Sequence, residues 1–97
     1  MALVELKLPS DNVLKHAAKL AISDDKPVLL DYWSESCEDE CTILIGVKSN
    51  DEKLLVRSSE EYTSPINKIF KVGEEYIVIT ENSIYIVSTK IPTKRIS

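Results

Sequence analysis

Val4, Leu6 and Leu8 alternate with Glu5 and Lys7 ahead of Pro9, the period-two pattern of a strand with one buried face. Beyond the proline the period changes. Ser10 or Asp11 can cap a helix over residues 11–21, in which Val13, Leu14, Ala17, Ala18, Leu20 and Ala21 recur at three- and four-residue spacings and leave one apolar side. Ser23, Asp24 and Asp25 supply loop residues, and Pro27 removes a backbone donor where the next strand is expected, over residues 28–33. In such a strand Leu29, Asp31 and Trp33 share one face and Val28, Leu30 and Tyr32 the other.

Residues 42–48 (TILIGVK) and 53–57 (KLLVR) are two β-rich runs joined by a loop of hairpin composition at residues 49–52. Ile66, Ile69, Phe70 and Val72 mark a further strand after Pro65, and Gly73 permits a turn. Residues 76–80 (YIVIT) and 84–88 (IYIVS) flank Glu81, Asn82 and Ser83 as the clearest hairpin in the chain. The connections are too short for repeated crossover helices. The expected fold is α+β: one N-terminal helix packed on a mostly antiparallel β-sheet or small open barrel. Residues 1–97 form a single domain in this reading, with residues 91–97 as a flexible tail.

That hairpin is apolar on both faces. Ile77 and Ile79 oppose Tyr76 and Val78, while Tyr85 and Val87 oppose Ile84 and Ile86, so something must cover the second face once the helix has covered the first. Barrel-like closure or self-association through this sheet is expected. The interaction candidates are Tyr32, Trp33, Ile77, Ile79, Tyr85 and Val87, since aromatic and apolar strand residues dominate contact surfaces. Were both faces buried within one chain, function would instead be sought on the acidic segment of residues 31–40.

Charge narrows the partners. Sixteen acidic residues against twelve basic ones give a formal net charge of −4, which disfavours nucleic acid and anionic membrane. No apolar run approaches the roughly 18 residues of a spanning helix, and no export signal is evident. An intracellular protein with reduced thiols, acting through a protein partner or self-association, is expected.

The stretch KPVLLDYWSESCEDEC (residues 26–41) tests that view, because an apolar strand ending in aspartate and aromatics just before two cysteines resembles the thioredoxin family. Thiol chemistry there needs two intervening residues and a helix N-terminus. Here Cys37 and Cys41 are separated by Glu38, Asp39 and Glu40, whose charges disfavour a thiolate, and the β-branched run that follows is no helix. His16, Cys37 and Cys41 supply three of the four ligands that zinc prefers, without the second pair that makes zinc motifs specific. Asp31, Glu35, Glu38, Asp39 and Glu40 match no calcium loop. Two glycines and one histidine leave neither a phosphate cradle nor a supported catalytic set. No catalytic, cofactor-binding or metal-binding residue is assigned.

The blocks DYW at Asp31–Trp33, IGV around Gly46 with EKLLV, EEYTSPI at residues 60–66 and ITENSIYIVS at residues 79–88 are similar to those of small uncharacterised proteins of large double-stranded DNA viruses. The resemblance spans most of residues 24–88 and implies no activity. It implies a non-enzymatic viral accessory or virion-associated structural or interaction protein, in the host cytoplasm or the virion. A small β-barrel adaptor domain binding a peptide or ligand is the alternative, and a thioredoxin-like thiol protein the second.

Overall fold

Ser10 sets the start of the long helix. In the computed structural model, which describes residues 8–38 and 42–96, helix α1 spans Asp11–Asp24. The Ser10 backbone is extended, and its Oγ accepts from the Val13 N–H at 3.3 Å, satisfying a donor that the first helical turn leaves unpaired. The same hydroxyl donates to Glu75 at 2.8 Å, so the cap also ties the helix to the sheet. At the other end Asp25 turns into the left-handed region at φ 55°, and its N–H returns to the Ala21 carbonyl. The strand expected at residues 2–8 lies, apart from Leu8, outside the described residues.

The strands are β1 (Val28–Leu29), β2 (Leu44–Val47), β3 (Lys53–Val56), β4 (Ile66–Val72), β5 (Glu75–Thr80), β6 (Ile84–Ser88) and β7 (Thr93–Arg95), with a single helical turn α2 (Trp33–Ser36) after β1. They form two sheets, ordered β1-β6-β5-β4 and β3-β2-β7. β1 lies parallel to β6 and β7 parallel to β2, and the other three pairings are antiparallel. The fold is thus α+β, an N-terminal helix on mixed, mostly antiparallel sheets, and these do not close into a barrel.

The β5–β6 hairpin sits between two cores. Its register pairs Ile77 with Ile86 and Ile79 with Ile84, and these four pack with Val13, Ala17 and Trp33 beneath α1. On the opposite face Val78 and Val87 pack with Ile43, Ile45, Leu55, Tyr32 and Ile91, side chains that come largely from the second sheet and the segments flanking it. The expected barrel-like closure or self-association through this hairpin is therefore corrected: a second sheet of the same chain covers the second face. Four-residue strands suffice, because the residues β2 and β3 turn inward, Ile45 and Leu55, are large and aliphatic.

Two further expectations change. The strand read over residues 28–33 stops at Leu29, and Trp33–Ser36 is helical. Pleated alternation would hold Tyr32 and Trp33 on opposite sides of one sheet layer at its edge. The turn instead delivers Tyr32 to one core and Trp33 to the other, burying them to 8% and 4% exposure. Residues 91–97, read as a flexible tail, contain β7. Ile45 N–H donates to the Pro92 carbonyl and Ile96 N–H to the Val47 carbonyl, both at 2.9 Å, while Ile91 is buried.

Ser36 locks α2 to the sheet. Fully buried, it donates to the Trp33 carbonyl at 2.6 Å and accepts from the Ser88 N–H at 2.8 Å. Ser36→Ala leaves that amide unpaired in the interior and should cost about 1–3 kcal/mol, read as a fall of the thermal midpoint by several degrees. Ser34→Ala, on the exposed side of the same turn, should leave the midpoint unchanged.

Candidate functional site

The six residues expected to contact partners are interior or half-buried. Ile77 and Val87 have no exposure, Ile79 has 3%, and Tyr85 is half-buried with its ring 5.4 Å from that of Tyr32. Uncovering one such aliphatic side chain costs about 1.5–3 kcal/mol, against a total stability of about 5–15 kcal/mol for a typical domain. An interface built on Ile77, Ile79 and Val87 would unfold the chain that presents it. These assignments are accordingly withdrawn, for Tyr32 and Trp33 as well.

In the acidic segment, one of the described carboxylates has a structural role. Glu35 on α2 pairs with Arg57 at the end of β3, and Arg57 also reaches Glu61 at 3.4 Å and lies 5.5 Å from the centroid of the Tyr32 ring. The hydrogen bond that Arg57 donates to Glu35, opposed by some desolvation, holds Arg57 more firmly protonated than usual. This clasp joins α2 to the second sheet, and it is partly exposed, so it is worth well under a buried pair. Burial raises the pKa of Tyr32, with Tyr85 and Glu61 adding to it, and burial followed by the charge of Asp31 raises that of Tyr85.

Cys37 is half-buried against the helix-side core and ends α2 at its C-terminal side, the reverse of the helix N-terminal position that activates a thiol. His16 projects from the exposed side of α1 into a groove described below. Cys41, Asp39 and Glu40 lie outside the described residues, and no metal-binding group of three acidic, cysteine or histidine side chains occurs among the described ones.

Two open grooves present apolar side chains to solvent. The first, of about 450 Å³, runs over the outer face of the three-stranded sheet between Leu54, Val56, Tyr62 and Ile96. β2 and β3 pair Gly46 with Leu54 and Leu44 with Val56, which places these four opposite the core-facing Ile45 and Leu55. Residues after β3 fold back along it: Thr63 and Leu55 exchange bonds of 2.9 and 3.1 Å, and a bridge sets Tyr62 opposite Val56. Gly46 leaves room for Ile96, since a Cβ there would stand 2.6 Å from the Ile96 Cδ1. Even so, Tyr62 stays 58% and Ile96 43% exposed.

The second groove, of about 480 Å³, lies between α1 and β4, with Leu20, Phe70, Val72 and Ile77 as its floor and Lys19, Lys71 and His16 as its rim. No carboxylate lines it. Comparison with protein-family models, with curated proteins and with solved structures returned no match.

Sequence reasoning passed over Leu54, Val56 and Ile96. The signal was present, since KLLV is apolar at consecutive positions and so has two apolar faces, but the unassigned register left its second face without a neighbour.

The two shifted tyrosines make a pH prediction. A raised folded pKa means the folded state keeps the phenolic proton longer, so the associated stability is complete below the unfolded value near 10.0 and is lost as pH rises through the folded pKa. An ultraviolet titration should show a late-ionising component among the four tyrosines, removed by Tyr32→Phe together with Tyr85→Phe. Those two substitutions should also flatten the loss of thermal stability above that pH.

Proposed function

We propose that this protein is a non-enzymatic interaction protein that pairs with a second copy of itself through the outer face of the β3-β2-β7 sheet. The observation that carries the reading is the exposed apolar strip of Tyr62 and Ile96 over Leu54 and Val56, since an apolar strip on a sheet face is a usual mark of a contact surface. A copy of the same chain is the favoured occupant because the rim carries both signs: Lys48 lies 3.7 Å from Glu52 and Arg95 lies 3.8 Å from Asp51. A surface of mixed sign can be complementary to itself about a two-fold axis. The sequence resemblance supports a role as an accessory or virion-associated component of a large DNA virus, in the host cytoplasm or the virion.

Light scattering over a concentration series tests the pairing. The chain should reach twice its monomer mass at micromolar concentration. Tyr62→Glu and Ile96→Glu, each on an exposed side chain, should return it to the monomer while leaving circular dichroism unchanged. A monomer at high micromolar concentration overturns the proposal, as does a dimer indifferent to both substitutions.

A further inference from the structure

Among the described residues the outer edge of β4 has no strand beside it, and it borders the α1–β4 groove. An unpaired edge exposes backbone donors and acceptors that an extended segment can complete. The regular part of this edge is residues 68–72, because the pairing with β5 is irregular between Ile66 and Lys68. Lys68 pairs with Ile79 and Phe70 with Ile77, so both point to the α1 side, where Ile77 and Ile79 pack. Ile69 and Lys71 pair with Val78 and Tyr76 and point to the other side.

Asp51 and Glu52 share a recess with Lys68 and Ile69, but these carboxylates are paired with Arg95 and Lys48. Among the described residues the ion pairs involve Lys48, Arg57 and Arg95, and none involves Lys15, Lys19, Lys68 or Lys71. In a chain with net charge −4, a groove with two lysines on its rim and no carboxylate in its lining is complementary to an anionic ligand. Its floor, with Phe70 41% exposed beside the half-buried Leu20, asks for apolar side chains as well.

We propose that β4 binds an extended acidic peptide by strand addition, reading the order acid, apolar, apolar, acid. Side chains directly opposite each other on paired strands share a face and interact. The run Lys68, Ile69, Phe70, Lys71 therefore selects an acid against Lys68, an aliphatic residue against Ile69, an apolar residue over Phe70 and Leu20, and an acid against Lys71. The order is palindromic in type, so either strand direction satisfies it. Backbone bonds to the edge supply sequence-independent affinity, and the lysines supply selection. Edge lysines also deter sheet-to-sheet aggregation. That role requires no ligand and predicts no binding.

The probe is a synthetic peptide carrying Glu-Ile-Val-Glu between short neutral flanks, followed by amide NMR on the wild-type chain. The expected result is saturable binding that shifts and protects the amides of residues 68–72, weakens with added salt, and vanishes for the Lys-Ile-Val-Lys peptide and for one with proline at its centre. Lys68→Glu combined with Lys71→Glu should weaken binding about tenfold or more, the loss of at least one charge-assisted contact. Tyr62→Glu should leave it unchanged, which separates this site from the proposed self-association surface. No shift at millimolar peptide overturns the proposal, as do equal binding of the acidic and basic peptides or shifts confined to residues 44–56. A short-chain fatty acid that reproduces the shifts where the peptide fails would make the groove an amphiphile site and overturn strand addition. The peptide variants act on unaltered protein, so the outcome stands even if the lysine variant misfolds.

Discussion

A hairpin with isoleucine and valine on both faces cannot rest with one side in water, and burying both sides of β5–β6 organises everything around it. Ile77, Ile79, Ile84 and Ile86 require one cover, Val78 and Val87 another. Among the described residues α1 is the one long helix, and it already lies over the first face, so the second cover is sheet. That explains why residues at both ends of the β4–β6 unit are recruited: β2 and β3 precede it, and β7 returns after it to lie along β2. It also explains why α2 forms. The connection from one layer to the other passes the sheet edge, and a helical turn there sends Trp33 and Tyr32 to different cores while Ser36 completes the hydrogen bonding of Ser88.

The helix and the hairpin were legible in the sequence because each is specified by its own residues. Ser10 and the apolar spacing of Val13 and Ala17 locate α1, and the two runs of alternating large aliphatics locate β5 and β6 within a residue. β7 was not legible. Thr93, Lys94 and Arg95 are all exposed, and what holds them is backbone pairing with β2, to which composition is blind. The end of β1 was missed for a related reason: Val28 to Trp33 reads as a strand on propensity, and only the positions of two separate cores, a tertiary fact, turn the chain at Asp31. The same blindness affected the site. Tyr32, Trp33, Ile77 and Val87 were singled out for being large and apolar, which is also what qualifies a residue for the core. A surface candidate needs a register, so that Leu54 and Val56 can be separated from Leu55.

The second sheet repeats the hairpin's problem on a smaller scale. Its strands are apolar on both sides, Ile45 and Leu55 inward, Leu44, Leu54 and Val56 outward, yet α1 is already committed elsewhere. Ile96, laid over Gly46, and Tyr62, folded back beside Val56, roof the strip only partly. A hairpin that uses up both covers thus leaves the outermost layer apolar. The exposed strip is a geometric consequence of how the core is divided.

Charge is divided as firmly as apolar area. In the acidic segment Glu35 is held by Arg57, with Glu61 beside it, and that pairing joins α2 to the second sheet. The lysines of β4 have no such duty. A net charge of −4 would by itself repel an acidic ligand, but at physiological salt the field decays over about 8 Å. Close to the edge, Lys68 and Lys71 act on a ligand directly, while Asp51 and Glu52, which share a recess with Lys68, are paired with Arg95 and Lys48. The overall sign therefore governs solubility and long-range approach, whereas selection at this edge depends on two cations and the phenylalanine between them.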